Sequence, residues 1–124
     1  MNLGLVLYSH NFKRLAKFYK FVFRLAIADQ NDGHIRLAND QMELVILQAP
    51  RRFQDISGTQ RINVAIKPVF FINVPLERVR ARALKRGGSL NAVTAEWQFQ
   101  SHTVCDGHDC DGNIFQVRFP LPED

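Results

Sequence analysis

The chain has 124 residues, 46% of them hydrophobic, and its 16 Lys and Arg against 12 Asp and Glu give a formal charge of +4. That length and apolar content suit one globular domain with a sizeable core and exclude a low-complexity or disordered chain. Two cysteines are too few for a disulfide framework, and no apolar run approaches the roughly 18 residues that span a bilayer, so free thiols and a soluble, cytoplasmic protein are expected.

Leu3 to Tyr8 is apolar and β-prone, and Ser9-His10-Asn11 after it supplies helix-start chemistry. From there Phe12, Leu15, Ala16, Tyr19, Val22 and Phe23 recur at helical spacing, which predicts an amphipathic helix ending near Arg24. Leu25 to Asp29, His34 to Ala38 and Met42 to Gln48 read as strands, parted by turns at Gln30-Asn31-Asp32-Gly33 and Asn39-Asp40. The first half is therefore β-α-β-β-β. Ala49 to Arg61, with Pro50, Arg51, Arg52, Asp55, Ser57 and Gly58, is a connecting loop, and Ile62 to Lys67 adds a short strand or extended approach.

The pattern then starts again. Pro68 to Val74 is strongly β-prone, Pro75 sits where a first helical turn tolerates it, and Leu76, Val79, Ala83 and Leu84 form an apolar helical stripe that Gly87-Gly88 ends. Leu90 to Thr94, Trp97 to Cys105 and Asn113 to Phe119 complete a second β-α-β-β-β. Placing Asn11 on Pro75 brings Leu7 onto Phe71 and Leu15 onto Val79, so the apolar phase of strand and helix repeats although residue identity does not.

Asp109-Cys110-Asp111-Gly112-Asn113 is tight-turn chemistry, because Gly accepts positive φ and Asp and Asn bond back to their own backbone. In the strand that leaves it, Phe115, Val117 and Phe119 point one way and Ile114, Gln116 and Arg118 the other. The basic residues fall mostly in the two helical segments, Lys13, Arg14, Lys17, Lys20 and Arg24 in one and Arg78, Arg80, Arg82, Lys85 and Arg86 in the other. Between apolar positions they read as solvated outer faces, and a nucleic-acid-binding function rests on nothing more.

Through Phe18-Tyr19, through Leu76-Glu77-Arg78-Val79 to Leu84-Lys85-Arg86-Gly87-Gly88, and through the Asp109 to Asn113 turn, nearly the whole chain resembles the vicinal oxygen chelate superfamily. This superfamily contains the glyoxalase, bleomycin-resistance and extradiol-dioxygenase proteins. Cys110 stands where its turn motif has Pro. The resemblance implies an α+β fold of two βαβββ modules forming a curved mixed sheet around a cavity, helices on the outer face, commonly in a homodimer. Module one would cover 1–49, the loop 50–67 and module two 68–124.

Metal-using members place His or Glu on the first strand of each module and Glu on the last. Carried over by residue, those positions fall on Gly4, Pro68 and Gln116, with Glu43 the one acid near a matching place, so no metal and no cofactor is expected. What remains is the cavity, lined by Gly4, Val6, Tyr8, Phe70, Ile72, Ile114, Gln116 and Arg118, with Trp97 either at its mouth or simply packed. Tyr8, Glu43, Phe70, Ile72, Trp97, Gln116 and Arg118 are the expected ligand-binding residues, and none is assigned a catalytic role. The expected partner is a small apolar, aromatic or anionic molecule, with Arg118 fixing its anionic group. The expected function is binding or sequestration in the manner of the bleomycin-resistance proteins.

A competing constellation is His102, Cys105, His108 and Cys110 among Asp106, Asp109 and Asp111. With Glu43 it could form a relocated metal site for a lyase, isomerase or dioxygenase, and Cys105 or Cys110 could be a nucleophile with His102 or His108 as base. Spacing weighs against both, since His102 and Cys105 lie three apart on a strand and so face opposite ways. His10, after the first strand, is a further candidate with a capping role as its alternative.

Overall fold

The computed structural model describes residues 1–53, 61 and 63–123. The chain divides into two compact units, Met1–Gly58 and Thr59–Asp124.

The first unit runs β1 (Leu3–Ser9), α1 (Phe12–Phe23), β2 (Ala26–Gln30), β3 (His34–Ala38) and β4 (Met42–Gln48). Helix α1 starts where sequence chemistry places it: the Asn11 side chain accepts from the Arg14 amide, and the Ser9 hydroxyl accepts from the Asn11 amide. Arg24 closes it in the left-handed conformation, with φ of 55°. The four strands pair in the order β1-β4-β3-β2, with β1 parallel to β4 and the rest antiparallel. Strand alternation then sorts the faces. Ile35, Leu37, Leu44 and Ile46 are buried on the α1 side with Leu15, Phe18, Tyr19 and Val22. Gly4, Val6, Tyr8, Glu43, Val45, His34 and Arg36 share the opposite, open face, because Gly4 lies beside Glu43, Val6 beside Val45 and Val45 beside Arg36.

The second unit runs β5 (Val69–Phe71), α2 (Leu76–Lys85), β6 (Ser89–Leu90), β7 (Trp97–Phe99), β8 (His102–His108) and β9 (Ile114–Pro120). Its sheet has the order β5-β9-β8-β6, with β7 also pairing to β8. Phe70, Phe115 and Val117 fill the buried face with Cys105, and the Phe70 and Phe115 rings meet edge to face at 6.2 Å. Arg80 ties α2 to the following connection: its Nη2 reaches the Asn91 carbonyl and Glu96 Oε2, each at 2.7 Å, and its Nη1 pairs with Glu77.

Several boundaries differ from those the sequence suggests. The run from Trp97 to Cys105 is two strands, because the chain reverses at Gln100, whose φ is 54°. Leu90 to Thr94 is a two-residue strand followed by a short 3-10 turn at Val93–Ala95. Strand β5 is three residues long, and Leu84 is exposed, which leaves Leu76, Val79 and Ala83 as the inner stripe of α2. Asp55, Ser57, Gly58 and Ile62 lie outside the described residues; from Asn63 to Pro68 there is no strand. No helix among the described residues is long and apolar enough to cross a membrane.

Candidate functional site

The turn that organises the second unit is built around one buried carboxylate. Asp109 is fully buried, and its Oδ1 accepts from the amides of Asp111 at 2.9 Å and Asn113 at 3.0 Å, while the Asn113 side-chain amide donates to Oδ2 at 3.0 Å. Gly112, with φ of 85°, supplies the left-handed residue that closes the loop. Thus the Asp and Asn of the motif hold each other, and Cys110 in the place of Pro is tolerated because the carboxylate shapes the turn. The register that results sets Asp106 beside Gln116, Val104 beside Arg118 and His108 beside Ile114.

On the open face of this unit those pairs form a polar line. Arg118 Nε donates to Gln116 Oε1 at 2.9 Å, Gln116 Nε2 donates to Asp106 Oδ1 at 3.1 Å, and Lys67 Nζ pairs with Asp106 Oδ2 at 2.6 Å. The amide's orientation has one solution, since a guanidinium only donates and an ionised carboxylate only accepts. Gln116 is 8% exposed and has both ends of its amide engaged. Around the Lys67 end lies a pocket of about 320 Å³ lined by Arg61, Asn63, Lys67, Asn91, Asp106 and Ile114, among others. Around the Arg118 end the neighbours are aromatic. The guanidinium carbon lies 5.6 Å from the Phe71 ring centre and 5.0 Å from that of Phe99, and the His102 ring meets Phe71 edge-on at 5.5 Å.

Two expected lining residues are placed differently. Phe70 is 6% exposed and belongs to the core, whereas Phe71, 67% exposed, stands beside Arg118 on the open face. Ile72 follows the end of β5 and is half-buried. At the repeat offset of 64, Leu15 and Val79 are both fully buried, so the helix phase agrees. The strand phase does not: Leu7 is half-buried beside Ile46, whereas its counterpart Phe71 is exposed, a slip of one residue that changes the face. Gln116, Arg118 and Trp97 share the second unit's open face, Trp97 through its pairing with Val104. In the first unit Tyr8 and Glu43 share the open face, and a Cβ on Gly4 would lie 3.1 Å from Glu43 Cγ. The same face carries a hydrogen-bonded trio in which Asp29 accepts from His34 and Arg36, each at 2.7 Å. These bonds, that of His34 first and then that of Arg36, hold the Asp29 carboxyl below its ordinary value.

The Cys/His constellation is dispersed. Cys105 is on the buried face; His102 and His108 stand six residues apart on β8, roughly 20 Å in an extended strand. Both cysteines are free and buried. Burial pushes the Cys105 thiol up, against the opposing pull of Arg80 at 3.9 Å, so it is kept protonated and is a poor nucleophile. No cluster of three His, Cys, Asp or Glu with metal-site geometry occurs among the described residues. His10 is half-buried after β1, and its carbonyl accepts from Gln48 Nε2 at 3.0 Å. Lys13, Arg14, Lys17 and Lys20 all lie on the outer side of α1.

No protein-family model and no curated protein matches the sequence. Solved structures do match. A glyoxalase/bleomycin resistance protein/dioxygenase family enzyme from Burkholderia phytofirmans superposes with a TM-score of 0.73 at 12% identity, covering 95% of this chain and 97% of that one. The chain has the vicinal oxygen chelate fold. A glyoxalase/bleomycin resistance protein from Albidiferax ferrireducens gives 0.70 at 15% identity, over 95% and 97% of the two chains, and a fosfomycin resistance protein from Mesorhizobium loti gives 0.65 at 11%, over 98% and 91%.

Metal-using vicinal oxygen chelate proteins need charged or imidazole donors, and the three positions that the resemblance points to carry none. Gly4 and Pro68 offer no ligating side chain, and the Gln116 oxygen already faces a guanidinium at 2.9 Å, so an ion bound there would meet a positive charge.

Proposed function

We propose that this chain binds or sequesters a small, largely apolar or aromatic molecule, in the manner of the bleomycin-resistance proteins, with no metal centre at the superfamily's usual position. In this reading it works in the cytoplasm as a homodimer. The observation that carries the proposal is the engaged amide of Gln116: Arg118 and Asp106 occupy its two ends where a metal-using relative would present a free carboxylate. The pocket beside Lys67 has a volume at the lower end of the range for small-molecule sites, and the aromatic surface around Arg118 offers apolar contact.

The test is a thermal-shift series on dialysed protein with Mn²⁺, Ni²⁺, Fe²⁺ and Zn²⁺ in one arm and a panel of neutral and charged aromatic compounds in the other. A ligand at about 100 times its Kd stabilises the native state by about 2.7 kcal/mol, a rise of roughly 10 °C for a domain of this size. Saturable rises are expected with aromatic compounds and not with the ions. A stoichiometric metal that survives dialysis and is lost in Glu43→Ala would overturn the proposal.

A further inference from the structure

We infer that the open face of the second unit is a subsite for a planar aromatic carboxylate, held at its anionic end by Arg118 and along its ring by Phe71, Phe99 and Trp97. This deepens the binding function proposed above and rests on it. Charge points to it first. Lys67 and Asp106 neutralise each other and Gln116 is uncharged, so the polar line carries one unmatched positive charge, on Arg118. Among the described residues no carboxylate pairs with this guanidinium; its Nε is tethered to Gln116, and the Nη edge is left to present two parallel donors. That edge matches the two oxygens of a carboxylate.

The tether matters as much as the charge. Gln116 is fixed by Asp106, and Asp106 by Lys67, so the guanidinium is oriented before any ligand arrives and less rotamer freedom is lost on binding. Its flanks are the rings of Phe71 and Phe99, 67% and 46% exposed, and Trp97 is 42% exposed on the same face. Rings that stay this exposed beside an unpaired cation supply apolar contact for a flat molecule and shield its anion from water. Apart from the Trp97 indole N–H they supply no donors. A phosphate dianion asks for more hydrogen bonds than one guanidinium edge and one indole N–H offer, and an aliphatic acid cannot stack on the rings, so the aromatic monoanion is the ligand class that uses every group present.

The experiment is isothermal titration calorimetry of the wild-type protein with benzoate, its uncharged isostere benzamide, acetate and inorganic phosphate, repeated with benzoate on Arg118→Gln. Benzoate should bind saturably, with benzamide and acetate each weaker by about tenfold or more and Arg118→Gln reducing benzoate affinity by a similar factor. Circular dichroism checks that the variant folds, and the benzoate to benzamide ratio on wild-type protein decides the question if it does not. Equal binding of benzoate and benzamide, undiminished benzoate binding by a folded Arg118→Gln, or tighter binding of phosphate would each overturn the assignment. If benzoate fails while neutral aromatic compounds give saturable thermal shifts, the subsite is wrong and the binding function stands; if no aromatic compound binds, both fall.

Discussion

Replacing Gly107 by Ala tests the packing that holds β8 in place under the polar line. A Cβ at this position would lie 2.4 Å from the Ser89 carbonyl oxygen and 2.9 Å from Phe115 Cζ. Ordinary contact begins near 3.4 Å, so β6 must retreat by about 1 Å or the core ring must leave its rotamer. The first loosens the pairing of Leu90 with Gly107, and the second disturbs the Phe70–Phe115 contact. Overpacking of this kind costs about 1–3 kcal/mol, and the backbone carbonyl, which cannot rotate away, points to the upper half of that range. With a urea m-value of about 1.5 kcal/mol/M, the midpoint should fall by roughly 1–2 M. The direction of the change is decisive. Gly107 does not have positive φ, so without the clash an alanine would stabilise by about 0.4–1 kcal/mol through the unfolded state. At Gly33 an added Cβ would meet nothing nearer than Asn31 Oδ1 at 3.9 Å, so Gly33→Ala is the control and should be neutral or slightly stabilising. An unchanged or raised midpoint for Gly107→Ala would refute the packing argument.

Asp109→Ala should cost about 3–4 kcal/mol, seen as a large fall in melting temperature, because it strands the Asp111 and Asn113 amides in a buried turn; a loss under about 1 kcal/mol would show that the turn forms without its carboxylate. Cys105, its thiol pushed up by burial, adds stability that is complete below the unfolded thiol's pKa of 9.0 and is lost as pH rises from there toward the folded value. Urea midpoints above pH 9 should therefore fall less steeply in Cys105→Ala than in the wild type, and parallel slopes would contradict the burial effect. Asp29, held below its ordinary 3.8 by His34 and Arg36, contributes stability above that value that disappears as pH falls through the folded pKa. An NMR titration should place its midpoint below 3.8 in the wild type and return it toward 3.8 when His34→Ala and Arg36→Ala are combined.

Much of this molecule is written locally. The N-cap at Asn11, the inner stripe of α1, the strands His34–Ala38 and Met42–Gln48, and the turn around Asp109 all follow from residue chemistry within a few positions, because capping, helical periodicity and Asx turns are short-range effects. The same alternation that marks β9 places Gln116 and Arg118 on one face, since seven residues with buried Phe115 and Val117 leave no choice of phase. Tertiary structure decided the rest. Val69, Phe70, Phe71 and Ile72 are all apolar, so nothing local says which of them faces the core; the pairing with β9 settles it, setting Phe70 beside buried Val117 and Phe71 beside Arg118. Lys67 and Asp106 lie 39 positions apart, and only the sheet brings them together to fix Gln116. The Cys/His run shows the converse: residues crowded in sequence are separated because a strand turns alternate side chains to opposite faces and carries its two ends far apart.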